Sequence, residues 1–317
     1  MPSGGPRVSI SQISTFNASF AEDVSAYRAA GLDGIGVWEL KLGDGPDDEA
    51  LEQLADSGLG RASAVPAVPS ILPLPLLGGP VDPRERLDAF LGSLHRLAAF
   101  EPGGVVCLTG TGAGRDPDAA RAIVVDGLRE LALEAESLGL TIALEPYQRE
   151  GGAEWTIAST IHEALDLIRD AGDPPALRLQ FDVWHLWNTD TLFDDIAAHV
   201  DRFAGVHVSD VRLPTRNFAD RLAPGDGIGE VPQILGALDA AGFDGLYDVE
   251  IFSDDGTFGL DHEGSLWRLD PLEAATLLRD SFLACWQARE VAGTIPLPPS
   301  PPSTPSDRDL RRLTTKE

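Results

Sequence analysis

Short apolar runs rich in β-branched residues alternate along the chain with longer stretches whose apolar residues recur at helical spacing. Eight of the short runs predict β-strands, at Arg7–Ile13, Gly34–Trp38, Arg61–Val68, Gly104–Thr109, Thr141–Glu145, Leu177–Asp182, Ala204–Ser209 and Leu246–Ile251. Each interval between them has room for one crossover helix, and strands joined in this way pair in parallel. The pattern therefore predicts an α/β fold built on a parallel sheet.

The stretches between the predicted strands carry helix start and stop signals. Asp82-Pro83 and Asp116-Pro117 each place an N-cap residue and a proline ahead of a helical segment, which predicts helices through Leu97 and Leu138. Glycines follow several helical stretches, where a left-handed C′ residue is expected; these are Gly31, Gly58, Gly139, Gly172 and Gly242.

Eight βα units in roughly 250 residues suit a closed (β/α)8 barrel, the TIM barrel. The competing fold is an open, doubly wound sheet, which usually carries a phosphate-binding glycine turn after its first strand. That position here reads Ser14-Thr15-Phe16-Asn17 and has no glycine. We therefore expect a single-domain TIM barrel over residues 1–292.

The last segment, 293–317, has a different composition, with six prolines followed by a charged end. Proline-rich and charged sequence of this kind does not build a packed core. We expect this segment to be a flexible tail.

Charge and composition narrow the range of functions. The 317 residues include 51 acidic and 24 basic side chains, a formal net charge of −27, which would repel a nucleic-acid partner. The sequence has no apolar run of membrane-spanning length, and its start lacks the basic and apolar regions of a signal peptide. With two cysteines, Cys107 and Cys285, and no export signal, the expected location is the reducing cytoplasm.

Candidate chemistry lies at the carboxyl-terminal ends of the strands, where TIM barrels place their catalytic side chains. The last four predicted strands present Glu145, Asp182, His207 and Glu250 at this end. Three clustered carboxylates need a counter-charge, and three oxygen donors with one imidazole suit a divalent cation. Mn²⁺ fits this donor set best, with Mg²⁺, Co²⁺, Zn²⁺ and Fe²⁺ as alternatives. Structural interpretations also stand, with Asp182 as a helix cap and His207 as a core histidine.

Five motifs lie at or beyond the predicted strand ends. They read Leu144-Glu145-Pro146, Phe181-Asp182-Val183-Trp184-His185, Val206-His207-Val208-Ser209-Asp210, Gly225-Asp226-Gly227-Ile228-Gly229-Glu230 and Val249-Glu250-Ile251-Phe252-Ser253. In this order the chain resembles the sugar phosphate isomerase/epimerase family, part of the xylose isomerase-like TIM-barrel superfamily. The resemblance covers roughly Arg7 to Ala292 and implies the same four metal ligands.

The resemblance also implies substrate-binding residues. His185 matches the family histidine that follows the metal aspartate by three residues and contacts substrate oxygens. Many members have a substrate-binding arginine soon after the metal histidine, and both Arg212 and Arg216 fit that description. Members often carry a further glutamate after the one from the fifth strand, for which Glu150 and Glu154 are candidates.

These residues would support removal of a proton next to a carbonyl group. We expect the divalent ion to act as a Lewis acid on a sugar, keto-sugar or polyol and to stabilise the enediolate. Glu145 and Glu250 would flank the substrate, one removing the proton and the other returning it. Trp38 and Trp184 would form an apolar wall for the sugar ring. The predicted activity is that of a metal-dependent sugar isomerase or epimerase.

The same first step leads to other outcomes as well. With a leaving group β to the carbanion the reaction becomes an elimination, as in the inosose dehydratases of the superfamily. Cleavage of 3-keto C-glycosides by one subunit of a complex is a related alternative. A non-catalytic sugar-binding barrel would keep the pocket without the metal. The sequence also leaves open whether the chain forms a homo-oligomer or has a second subunit.

Overall fold

The computed structural model describes residues 5–75, 78–148 and 155–292. It contains eight strands, which are β1 (Arg7–Ser11), β2 (Gly34–Trp38), β3 (Gly60–Val65), β4 (Gly104–Cys107), β5 (Ile142–Leu144), β6 (Leu177–Asp182), β7 (Phe203–Val208) and β8 (Leu246–Val249). The strands pair in parallel in chain order, and β8 returns to β1 to close the barrel. The predicted TIM barrel is confirmed. The predicted tail, together with Glu150 and Glu154, lies outside the described residues.

Helices surround the barrel. Those in the described residues are α1 (Phe20–Ala29), α2 (Asp48–Ser57), α3 (Pro83–Leu97), α4 (Pro117–Leu138), α5 (Ile161–Asp170), α6 (Val183–Leu186), α7 (Leu192–His199), α8 (Val231–Ala241) and α9 (Pro271–Ala292). Asp82 caps α3 and Asp116 caps α4 with side-chain oxygens that accept backbone N–H bonds. Both helices therefore begin and end where the cap and proline signals predict.

Several strands are shorter than the sequence predicts. β3 ends at Val65, because Pro66 has no N–H for a further ladder bond. β1 ends at Ser11, where the chain turns into a short 3₁₀ helix, Gln12–Thr15. β5 and β8 likewise stop one residue before the two glutamates that the sequence places at their ends.

The barrel interior has a polar component within an apolar core. Helix residues such as Phe90 and Leu128 are fully buried against the outside of the strands. Inside the barrel, buried polar residues occur on otherwise apolar strands, including Ser11, Ser63 and Asp248. Alternate residues of a barrel strand face the interior. Ser63 and Asp248 therefore meet across the lumen, with Ser63 Oγ 3.1 Å from Asp248 Oδ2, whereas Ser11 Oγ contacts Glu250 Oε1.

Across the described residues, none of the helices combines the length and apolar character that crossing a bilayer requires.

Candidate metal centre and active site

The last four strands bring four side chains together at the carboxyl-terminal end of the barrel. Ligand atoms of Glu145, Asp182, His207 and Glu250 all lie within 4.8 Å of one another, and all four residues are buried. His207 Nδ1 lies 3.3 Å from both Glu145 Oε1 and Glu250 Oε2. It lies 3.9 Å from Asp182 Oδ2. The structure thus places all four residues predicted as metal ligands in one cluster.

A second set of contacts orients the imidazole of His207. Ser63 Oγ lies 2.8 Å from His207 Nε2 and donates its own proton to Asp248 Oδ2 at 3.1 Å. The serine oxygen is therefore the acceptor for Nε2–H, so Nδ1 is the ring nitrogen that faces the three carboxylates. Metal-binding histidines are commonly held by such a hydrogen bond to the other ring nitrogen.

The pKa values reflect crowded negative charge in a buried site. Burial raises the pKa of Glu145 to about 7. Burial alone would lower the pKa of His207, but the carboxylates of Glu250, Glu145 and Asp182 raise it to about 10. The cluster therefore draws a proton onto the imidazole, and a divalent cation in the same place would compensate the carboxylates instead. One nitrogen and three carboxylate donors, all buried, fit a divalent ion.

Asp182 also serves as a helix cap. Its Oδ1 accepts a hydrogen bond from the backbone N–H of Trp184 at 2.8 Å and caps α6. Its Oδ2 faces the cluster. The cap and the ligand interpretations are therefore compatible, because they use different oxygens of one carboxylate.

Arg221 lies at the centre of the site, although no motif in the sequence points to it. Its Nη1 donates to Asp182 Oδ2 at 2.8 Å and to Glu250 Oε2 at 3.1 Å. Its Nη2 lies 3.3 Å from His185 Nε2. Burial alone would raise the pKa of Asp182, but Arg221, His185 and His207 outweigh that effect and lower it below its ordinary value. The guanidinium thus provides a fixed positive charge within the acidic cluster.

Arg221 reaches the barrel through the loop that joins β7 to α8. Its backbone N–H donates to Phe252 O at 3.0 Å, just beyond β8. The next residue, Leu222, exchanges two backbone hydrogen bonds with Asp210. The guanidinium lies 5.1 Å from the ring centre of Trp184 and 4.9 Å from that of Phe252. The position of Arg221 depends on these long-range contacts, so the local sequence carries only a weak signal for it.

The two arginines suggested by the family resemblance lie elsewhere. Arg216 Nε donates to Asp220 Oδ2 at 2.8 Å, and Arg212 Nε lies 3.6 Å from Asp220 Oδ1. Their side chains are 43% and 45% exposed, whereas that of Arg221 is 2% exposed. The structure therefore brings Arg221 into the buried cluster and places Arg212 and Arg216 beside Asp220, away from the four predicted ligands.

His185 borders the cluster as a neutral imidazole. Its Nδ1 accepts a hydrogen bond from the backbone N–H of Gln148 at 3.4 Å, and its Nε2 lies 3.7 Å from Asp182 Oδ2. Burial lowers the pKa of His185 to about 3. The residue is therefore uncharged at neutral pH, and because Nδ1 accepts, its one ring proton is on Nε2, which can donate a hydrogen bond.

A pocket opens over the cluster. Trp38 Nε1 donates to Ser11 Oγ at 2.8 Å, and that hydroxyl donates to Glu250 Oε1 at 3.3 Å. The pocket combines apolar walls with the polar cluster at its base; its lining is Trp38, Val65, Pro69, Leu74, Val106, Leu108, Glu145, Tyr147, His207, Arg221, Glu250 and Phe252. Trp184 contacts the site through Arg221. The arrangement suits a small polar molecule with one apolar face.

Comparisons with known proteins agree with this architecture. Part of the chain is 28% identical over 147 residues to an inosose dehydratase from Geobacillus thermodenitrificans (strain NG80-2). The match covers 42% of this chain and 47% of that protein, so it spans about half the length of the curated relative.

Two solved structures share the fold. The IolI protein with a bound zinc atom superposes with a TM-score of 0.71 at 19% identity, over 88% of this chain and 97% of that one. An L-ribulose 3-epimerase superposes with a TM-score of 0.69 at 19% identity, over 93% of this chain and 100% of that one. The family model for the xylose isomerase-like TIM barrel matches residues 24–277. Since that match spans most of the sequence, the chain belongs to the xylose isomerase-like TIM-barrel family.

Proposed function

We propose that this protein is a divalent-metal-dependent isomerase or epimerase that acts on a sugar, keto-sugar or polyol. The observation that carries the proposal is the position of the two buried glutamates. Glu145 and Glu250 each lie 3.3 Å from His207 Nδ1, at the base of a pocket with apolar walls. These two carboxylates belong to the same cluster, so one can act as a base and the other as an acid on a substrate bound between them.

The metal would be held by Glu145, Asp182, His207 and Glu250. Mn²⁺ is our first choice because three of the four donors are carboxylates, and zinc is the main alternative. When bound, the ion would supply Lewis-acid stabilisation of the negative charge that develops next to a substrate carbonyl.

The remaining polar groups would orient the substrate. Arg221 Nη1 is engaged by carboxylates, but its buried Nε has no hydrogen-bond partner among the described residues. We infer that this N–H donates to a substrate oxygen, since a buried donor left unsatisfied is costly. His185, whose Nε2 lies 3.3 Å from Arg221 Nη2, would hold a second substrate oxygen.

The apolar residues would hold the carbon face of the substrate. Trp38 and Phe252 lie edge to face, with ring centres 5.7 Å apart, and both line the pocket. Such a wall excludes water from the base of the pocket, where a proton removed from carbon would otherwise exchange with solvent.

A dehydratase is the second candidate, and the partial match to an inosose dehydratase favours it. Its first step is the same removal of a proton next to a carbonyl, and the outcome differs only when a leaving group lies on the next carbon. Glu145 and Glu250 would then act as base and acid on neighbouring positions of the substrate.

Deuterium exchange tests both candidates through their shared first step. Unphosphorylated ketoses, inososes and 3-keto-glycosides would be incubated with the protein and Mn²⁺ in D₂O, and incorporation next to the carbonyl followed by NMR. We expect Glu145→Gln and Glu250→Gln to abolish exchange with an unchanged circular dichroism spectrum. Glu134→Gln, at a partly exposed glutamate paired with His95 on the outside of the barrel, is the control and should leave exchange unaltered. Full exchange in both active-site variants would overturn the proposal.

A further inference from the structure

A second group of metal-binding side chains lies on the outside of the barrel, where α5 and α7 meet. It consists of His162, Asp195 and His199, and one ligand atom of each lies within 4.8 Å of the others. His162 Nε2 is 2.8 Å from Asp195 Oδ1. The two imidazole rings meet edge to face, with their centres 5.9 Å apart. None of the three residues belongs to the active-site cluster.

The helices place these donors on a common surface. Asp195 and His199 are four residues apart on α7, so they lie one turn apart on the same face. His162 is the second residue of α5 and approaches that face from the neighbouring helix.

The carboxylate of this group is held in a fixed orientation. The Asp195 side chain is only 4% exposed. Thr191 Oγ1 donates to Asp195 Oδ2 at 2.8 Å, so the other oxygen, Oδ1, points towards His162. A buried, pre-oriented carboxylate with two imidazoles beside it reduces the conformational freedom that binding an ion would remove.

We propose that His162, Asp195 and His199 bind a zinc ion, with water in the remaining position. Two imidazole nitrogens and one carboxylate oxygen form a donor set that zinc accepts in a tetrahedral arrangement. Donors in such a site lie about 3.3 Å apart, since each bond is about 2.0–2.1 Å long. The three donor atoms already lie within 4.8 Å of one another, at most about 1.5 Å beyond that spacing, and the His162 side chain is 59% exposed.

The two sites differ in the ions that they favour. The active-site cluster has one nitrogen and three oxygens, whereas this group has two nitrogens and one oxygen. A larger share of imidazole shifts preference towards zinc and away from manganese or magnesium. Bound zinc would join the start of α5 to α7, and it would stabilise the folded protein because the unfolded chain lacks the assembled site.

An ion pair between His162 and Asp195 is the competing explanation for their contact. A substitution at His199 distinguishes that ion pair from a zinc site. His199→Gln leaves the contact between His162 and Asp195 intact but removes one zinc ligand. His162→Gln removes both the ion pair and a ligand. Zinc binding therefore requires both histidines, whereas the ion pair requires only His162.

The test is a zinc titration of the full-length, chelator-stripped protein without an affinity tag, using calorimetry and metal analysis after gel filtration. The proposal predicts that His162→Gln and His199→Gln each bind one zinc ion fewer per chain than the wild type. His95→Gln is the matched control, because His95 is similarly exposed, at 61%, and lies 3.1 Å from Glu134. It should bind as much zinc as the wild type.

Thermal unfolding provides a second readout. Zinc should raise the Tm of the wild type and of His95→Gln by more than it raises that of His199→Gln. Equal zinc stoichiometry in the wild type and His199→Gln would overturn the proposal and leave the ion pair as the explanation. The wild type and His199→Gln have the same active-site cluster. The difference between their zinc stoichiometries therefore does not depend on whether that cluster also binds metal.

Discussion

Arg221 Nη1 lies 2.8 Å from Asp182 Oδ2, so a loop residue supplies a fixed cation to the acidic end of the barrel. Arg221 and a bound metal ion would both compensate the negative charge of Asp182 and Glu250. The loop contacts with Phe252 and Asp210 hold Arg221 in this position.

Replacing this guanidinium should impair substrate binding and turnover. Arg221→Met keeps most of the side-chain volume but leaves Asp182 and Glu250 without their partner. Removing one donor that stabilises charge in an active site costs about 100-fold or more in turnover, so kcat/KM should fall by about that factor. The measurement is kcat/KM in the deuterium-exchange assay, beside Arg212→Met and Arg216→Met. Normal activity of Arg221→Met, with loss in either comparison variant, would assign substrate binding to an outer arginine instead.

Ser63 is a positioning residue for His207, because its hydroxyl accepts Nε2–H at 2.8 Å. Ser63→Ala should weaken Mn²⁺ binding by about 10–100-fold, as expected when the hydrogen bond behind a histidine ligand is lost. Electron paramagnetic resonance of free Mn²⁺ measures the affinity directly. Ser93→Ala, at a buried serine of α3, is the control and should bind Mn²⁺ normally. Equal affinities for the two variants would show that Ser63 does not orient the ligand.

The glycine-rich motif at 225–230 has a structural role around Asp210. Its carboxylate accepts the backbone N–H groups of Val211, Gly225, Gly227 and Gly229, at 2.7 to 3.0 Å. A Cβ on Gly227 would lie 2.4 Å from Asp210 Oδ1, which leaves no space for a side chain. These bonds fold the loop that carries Arg221.

Gly227→Ala should therefore lower the Tm and the activity together. Gly92→Ala is the matched control, because a Cβ at that position of α3 meets nothing within 4 Å. Alanine favours a helix over glycine by about 1 kcal/mol, so the control should be as stable as the wild type or more so. The comparison is made by thermal unfolding, and an unchanged Tm for Gly227→Ala would contradict the steric argument.

Asp23 should make stability depend on pH. Burial raises its pKa from 3.8 to about 6, against the opposing effects of Lys41, Thr15 and Gln12. The folded state therefore holds this proton more tightly than the unfolded state does, and the associated stability declines as the pH rises through about 6. Asp23→Asn cannot ionise, so its stability relative to the wild type should increase between pH 5 and pH 7.5 (about one pH unit or more on either side of the transition). Urea unfolding at both pH values measures this difference, and a relative decrease would contradict the expected sign.

Much of the fold could be predicted from the sequence because strand and helix periodicities differ and the helix caps are explicit. Asp82-Pro83 and Asp116-Pro117 mark the starts of α3 and α4 correctly. The strand ends are less certain from sequence, since β3 stops at Val65, where Pro66 interrupts the ladder. The grouping of Glu145 and Glu250 could also be foreseen, because all the parallel strands of a barrel end at the same edge.

Other parts of the site depend on contacts between distant segments. Arg221 enters the barrel because the β7–α8 loop pairs with the chain beyond β8, and no local pattern reveals that pairing. Ser63 is an ordinary small residue in its own strand, and its role appears only when β3 and β7 face each other across the barrel. Similarly, the spacing of Asp195 and His199 is visible in the sequence, but the approach of His162 is not.

Mn²⁺ binding to the stripped protein tests the central claim most directly. The wild type and His199→Gln should each bind a Mn²⁺ ion at the active-site cluster. Asp182→Asn and Glu250→Gln should bind it at least about 100-fold more weakly, because each loses a charged ligand without losing volume. Mn²⁺ affinities in both variants equal to that of the wild type would contradict a shared metal site at the end of the barrel.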